Sequence, residues 1–88
     1  MTSSAAETEP RAVRVSTTDD ELVVGLLDGR TIIVPLSWYP RLSNATPEQR
    51  QHCRLIGDGE YIHWPDIDED LTVAGLLRGA RAPRKRAG

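Results

Sequence analysis

Polar and apolar positions alternate from the start of the ordered-looking chain: Val13, Val15 and Thr17 are spaced by Arg14, Ser16 and Thr18. That is the two-residue period of a half-buried strand, and it predicts a first strand over residues 12–18. After Asp19-Asp20, the β-branched, apolar run from Glu21 to Leu27 predicts a second strand, which stops at Asp28-Gly29. Asp-Gly between two apolar runs is a strong hairpin signal, because Gly takes a positive φ freely and Asp tolerates one. The third strand is expected from Arg30 to Leu36. A two-residue turn would pair Leu27 with Arg30, Val24 with Ile33 and Val23 with Val34, leaving apolar side chains on both faces of the sheet. Such a sheet calls for cover on both sides, from this chain or from a second subunit. Pro35 lacks a ladder donor, so the end of the third strand lies at an edge or leaves the sheet.

Helical signals follow. Thr46-Pro47-Glu48-Gln49 combines an N-cap threonine, a proline at the first helical position and a glutamine that completes a capping box. The helix is expected to run to about Leu55 and to stop at Gly57, with a thin apolar stripe. Gly57-Asp58-Gly59 reads as a turn, and Glu60 to Trp64 as a short fourth strand ended by Pro65. Beyond the acids, Val73, Leu76, Leu77 and Ala80 recur at i, i+3, i+4 and i+7, predicting an amphipathic terminal helix that opens at Asp68 or Asp70 and closes at Arg78-Gly79. The pattern as a whole predicts an α+β domain over 12–79: a three-stranded antiparallel β-meander, a helix, a short fourth strand and a C-terminal helix. Residues 1–11 and 80–88 are expected to be disordered ends.

Composition narrows the function classes. With 88 residues the chain holds one modest core, and its 39% hydrophobic and 27% charged content is that of a globular protein. The single cysteine, Cys53, excludes an internal disulfide. With no apolar leader and no run long enough to span a bilayer, the expected setting is cytoplasmic, without membrane association. The net charge of −2 is uneven: Arg78, Arg81, Arg84, Lys85 and Arg86 leave residues 1–77 with 6 basic against 13 acidic groups, or −7. An acidic body opposes phosphate, so only the tail, through Arg81, Arg84, Lys85 and Arg86, could contact nucleic acid.

Candidate chemistry is sparse. Asp66, Asp68 and Asp70 suggest a hard cation, but an EF-hand loop starting at Asp66 would need Gly and Glu where Leu71 and Leu77 stand. Capping of the last helix is the simpler role for these acids. His63, with Asp66 or Asp68 close by, could form an acid–base pair, yet the sequence shows no G-x-S-x-G nucleophile motif or metal-spaced partner beside it. By strand alternation His63 faces away from Ile62 and Trp64. The glycines of 57–59 precede a strand rather than a helix, unlike a phosphate loop. We therefore expect no catalytic residues, no metal and no cofactor. Trp38, Tyr39 and Arg41 carry the side chains that dominate interface hot spots, while the two tryptophans must also supply core volume in a chain without Phe. With His63 and Asp66 they make up the candidate partner surface.

The blocks Leu-x-Asp-Gly-Arg at 26–30, Pro35-Leu36-x-Trp38-Tyr39-Pro40-Arg41-Leu42, and Ile62-His63-Trp64-Pro65-x-Ile67-Asp68-Glu69-Asp70 with Leu76-Leu77-x-Gly79 resemble the small bacterial family known as domain of unknown function 2442. The resemblance covers about 12–79 and implies a compact α+β domain with no established enzymatic activity. It also implies, for some relatives, a gene neighbour in arrangements like toxin–antitoxin pairs. Longer relatives continue into a helix-turn-helix that this sequence lacks, which removes the reason to expect sequence-specific DNA reading. The expected function is a non-enzymatic protein-binding module, antitoxin-like or adaptor, whose partner is the product of an adjacent gene, with a homodimer as a further option. The alternative is a nucleic-acid-associated regulator acting through the basic tail.

Overall fold

A computed structural model of the chain describes residues 10–81. The expected α+β class is found, built from two small antiparallel sheets and short helices. The first sheet has the order β1 (Ala12–Thr17), β2 (Glu21–Leu26), β3 (Thr31–Pro35). A single 3-10 turn, Leu36–Trp38, leads into α1 (Pro40–Ser43) and α2 (Pro47–Gln51). The second sheet follows as β4 (Arg54–Ile56), β5 (Tyr61–Trp64) and β6 (Glu69–Thr72), and α3 (Val73–Arg78) ends the domain.

The first hairpin departs from the expected register by one residue. Val24 pairs with Ile32, Val23 with Ile33 and Leu22 with Val34. A two-residue type I′ turn needs positive φ at both central positions, and only Gly29 (φ 98) has it, not Asp28. The loop takes an additional residue instead, closing with Leu26 N–H donating to Arg30 O (2.8 Å). The Asp28 carboxylate accepts the Arg30 N–H (3.1 Å) and Nε–H (2.9 Å), which fixes that wider turn. A one-residue slip exchanges the faces. Ile32 and Val34 therefore turn inward beside Leu22, Val24 and Leu26, while Ile33 is 55% exposed on the outer face with Val23. The expected apolar outer face exists, but no element among the described residues covers Ile33.

Local signals elsewhere behave as chemistry dictates, though element lengths differ. Thr46 caps α2 with its hydroxyl on the Gln49 N–H, and the Gln49 side chain accepts the Thr46 N–H. The helix ends at Gln51 rather than near Leu55, because Arg54–Ile56 pairs with β5 as a strand. The acids after Pro65 do not cap the last helix. Asp68 sits at φ 55 in the turn between β5 and β6, Glu69 and Asp70 belong to β6, and Thr72 is the actual N-cap, accepting from Gly75 N–H at 2.9 Å. Gly79 closes α3 in the left-handed region, with Gly79 N–H on Leu76 O and Ala80 N–H on Gly75 O, a Schellman arrangement.

The core joins the inner face of the first sheet to Ile62 and Trp64 of β5, Tyr39, Leu42, Val73 and Leu76. Trp64 is fully buried, and its indole N–H donates to Arg50 O at 2.9 Å, so the polar end of the ring is satisfied. The two sheets meet where Ala12 N–H donates to Gly59 O at 2.7 Å. A Cβ at Gly59 (φ 96) would lie 2.3 Å from Ala12 O, whereas one at Gly29 would meet nothing. Gly29→Ala should therefore cost about 1 kcal/mol and Gly59→Ala about 3 kcal/mol or more in urea denaturation, since only the second adds a steric collision to the backbone strain.

Candidate functional site

The segment from Leu36 to α1 lies beside β6 and α3, and an open groove runs between them. Trp38, Tyr39, Arg41, Glu69, Arg78 and Arg81 are among its lining residues. At about 1220 Å³ it exceeds the usual 300–1,000 Å³ of an enclosed small-molecule pocket and suits an extended ligand better.

Of the residues expected to form a partner surface, the structure brings together Trp38, Tyr39 and Arg41. Tyr39 is corrected from a surface side chain to a core one: it is 2% exposed, and its hydroxyl donates to Ala80 O at 2.7 Å. Pro40 starts α1 directly after it, and the buried Tyr39 lines the groove from the core side. Trp38 takes the outer place. Its ring meets Tyr39 edge-on with centroids 6.4 Å apart, and the Arg81 guanidinium lies 4.6 Å above its centroid in a cation–π contact. The Arg41 side chain is 61% exposed, donates to Asp68 O at 2.5 Å and reaches Glu69 at 3.9 Å.

His63 and Asp66 do not line this groove. The expected pairing of His63 with Asp66 or Asp68 is replaced by a cross-strand contact to Asp70, its register partner on β6. Asp66 instead meets His52 Nδ1 at 2.9 Å. As strand alternation predicts, Ile62 and Trp64 are buried while His63 faces outward. No group of three or more His, Cys, Asp or Glu side chains among the described residues could hold a metal. Of the basic tail, Arg81 is described and engaged with Trp38, and Arg84, Lys85 and Arg86 lie outside the described residues, as does most of 1–11. The tail does not begin free at residue 80, because the Ala80 carbonyl is held by Tyr39.

Glu69 is the residue the sequence did not single out. It is buried opposite Trp64 on the inward side of β6. Burial pushes its carboxyl above the ordinary value, Arg41 opposes that, and the charges of Asp70 and Asp68 add to it. The Tyr39 phenol is likewise raised, first by burial and then by Glu69, against Arg81. Burial also raises the Cys53 thiol, which moves it away from reactivity.

The chain belongs to the family described as Protein of unknown function (DUF2442), whose profile matches residues 12–82. It is similar to a crystal structure of a protein of unknown function from Rhodospirillum rubrum, with 28% identity over 88% of this chain and 95% of that one and a TM-score of 0.76. A solution structure of an uncharacterised protein from Chromobacterium violaceum shares the fold, at 23% identity over 85% of this chain and 71% of that one, with a TM-score of 0.71. No curated protein matches the chain. No helix among the described residues is long and apolar enough to cross a membrane.

Two outcomes follow from the groove chemistry. Because the folded state holds the Glu69 proton more tightly than the unfolded chain, the folded state binds more protons above the ordinary value of 4.5. Stability should therefore fall as pH rises from there through the raised folded value and level off above it, and Glu69→Gln should remove that fall in denaturation curves measured across pH. Tyr39→Phe deletes the bond to Ala80 and should cost about 1 kcal/mol, readable as a lower urea midpoint.

Proposed function

We propose that this chain is a non-enzymatic protein-binding module, the adaptor or antitoxin-like component of a two-gene system, and that it binds its partner in the groove between Trp38–Arg41 and β6–α3. One observation carries the reading: a partly buried tryptophan, with the Arg81 guanidinium over its ring and an exposed Arg41 nearby, lines an open groove. Trp and Arg carry a large share of interface energy because they combine broad contact area with charged hydrogen bonding. The preformed stack lowers the ordering cost of binding, since the Trp38 ring is already fixed between Tyr39 and Arg81. The groove mixes Arg41, Arg78 and Arg81 with Asp68, Glu69 and Asp70, a pattern suited to a polar protein segment rather than to a polyanion. Nucleic-acid binding through the tail gains no comparable support, since Arg81 is turned to Trp38 and the other tail cations lie outside the described residues.

Tandem affinity purification from cells expressing the tagged protein at native level should recover a stoichiometric partner. The double variant Trp38→Ala, Arg41→Ala should keep the wild-type circular dichroism spectrum and lose that partner at least tenfold, which corresponds to about 1.4 kcal/mol. Recovery of no stoichiometric protein, or full retention by the double variant, would overturn the reading.

A further inference from the structure

The second sheet runs β4-β5-β6, so β6 is an edge strand, and no strand among the described residues pairs with its far side. The phase of its ladder shows which main-chain groups that side offers. Val73 N–H donates to Glu60 O at 2.9 Å, and the register sets Ile62 opposite Leu71 and Trp64 opposite Glu69. Bonded pairs alternate along an antiparallel ladder, so Glu69 and Leu71 direct their main-chain groups at β5, while those of Asp70 and Thr72 point away from it. His63 and Asp70 then form an unbonded pair, in which side chains come closest, and theirs do meet. The Thr72 carbonyl is taken by the first turn of α3, of which Thr72 is the N-cap. The Asp70 N–H and carbonyl and the Thr72 N–H have no partner among the described residues.

These groups face the groove. Every residue from Asp68 to Thr72 lines it, whichever way its side chain points, as befits the edge of a strand rather than one of its faces. Arg41 marks the same side, since its guanidinium reaches the Asp68 carbonyl from the opposite wall. The edge is also acidic. The Asp70 side chain is 66% exposed, and residues 1–77 carry 6 basic against 13 acidic groups, or −7. Charge on an edge strand keeps like strands away, and opposite charges across a strand pair attract, so an acidic edge selects for a basic strand.

On the basis of the groove as the partner site, we propose that the partner enters it as an extended basic segment, which adds antiparallel to β6 as the fourth strand of the second sheet. The residue opposite Asp70 exchanges both main-chain bonds with it, and the residue two places earlier offers its carbonyl to the Thr72 N–H. Opposite residues of an antiparallel pair point to the same face, so the side chain facing Asp70 lies on the outer face, where a lysine or arginine meets the carboxylate. The residue just before it turns inward opposite Leu71, which is partly buried against the core, and an apolar side chain suits that place. Trp38 lines the same space. A second copy of this chain is a poor occupant, because its β6 would bring Asp68, Glu69 and Asp70 to a seam that already holds them.

The probe is an acetylated, amidated peptide of alternating valine and lysine, titrated into the isotope-labelled full chain and followed by NMR. The Asp70 and Thr72 amide resonances should shift, and their hydrogen exchange should slow as the peptide saturates. The lysine peptide should bind about tenfold more tightly than its valine–glutamate counterpart, and Asp70→Lys should reverse that order. N-methylation of the lysine amides removes the donor meant for the Asp70 carbonyl and should weaken binding about tenfold, with no change to the protein. Unmoved Asp70 and Thr72 amides, equal binding of the two peptides, an order that Asp70→Lys leaves unchanged, or an N-methylated peptide that binds as well as its parent would each sink strand addition. Shifts confined to the Thr31 and Ile33 amides of β3 would sink it too, by moving the contact to the other sheet. Shifts at the Trp38 indole and Arg41 without any at Asp70 and Thr72 would do the same, yet leave the groove reading standing.

Discussion

The fold depends on one close approach between main chains. Gly59 belongs to the loop joining β4 to β5, and its carbonyl takes the Ala12 N–H across a gap that has no room for a Cβ. Ala12 is itself paired with Leu26, so the contact anchors the second sheet to the first. The next residue, Glu60, offers its carbonyl to Val73 N–H at 2.9 Å, where α3 begins. A single four-residue loop therefore fixes both sheets and the last helix relative to one another. Hydrophobic burial supplies the driving force, but it is non-directional; these two hydrogen bonds set the distance at which Ile62 and Trp64 meet Leu22, Val24 and Val34.

The groove is a consequence of that geometry. Because α3 starts at Val73, its C-terminal turn carries Ala80 to the Tyr39 hydroxyl, and Arg81 arrives over Trp38. The walls are thus tied to the same core that the sheets share, while the space between them is left to solvent. Glu69 shows what this costs, since its carboxyl is carried inward by β6 with Arg41 as a distant counter-ion at 3.9 Å. A charge held in that way is a burden on stability and keeps one wall of the groove polar.

What the sequence disclosed and what it hid divide by range. The capping box at Thr46, the Gly79 stop and the outward face of His63 are local, and each was legible from a few adjacent residues. The hairpin at Asp28-Gly29 was legible as a turn but not in its register, because two loop types differing by one residue use the same dipeptide and the choice falls on the φ of Asp28. Strands β4 and β6 were not legible: Arg54-Leu55-Ile56 is short and adjoins a helix, and Glu69-Asp70 looks like a cap, so pairing with β5 alone makes them strands. Once β6 is a strand, alternation turns Glu69 inward, which its place between Asp68 and Asp70 had concealed. Trp38 and Tyr39 share one connection and similar size, and only the hydroxyl's distant partner, Ala80, decides which ring is buried.

The anchoring of Ala80 by Tyr39 has a practical side. Ala80 and Arg81 put the C-terminal end of the described chain at the groove, where a handle or reporter fused after Arg81 would start. The two ends of the chain are therefore not equivalent as attachment points, and a label placed at the N-terminal end enters by way of β1 instead.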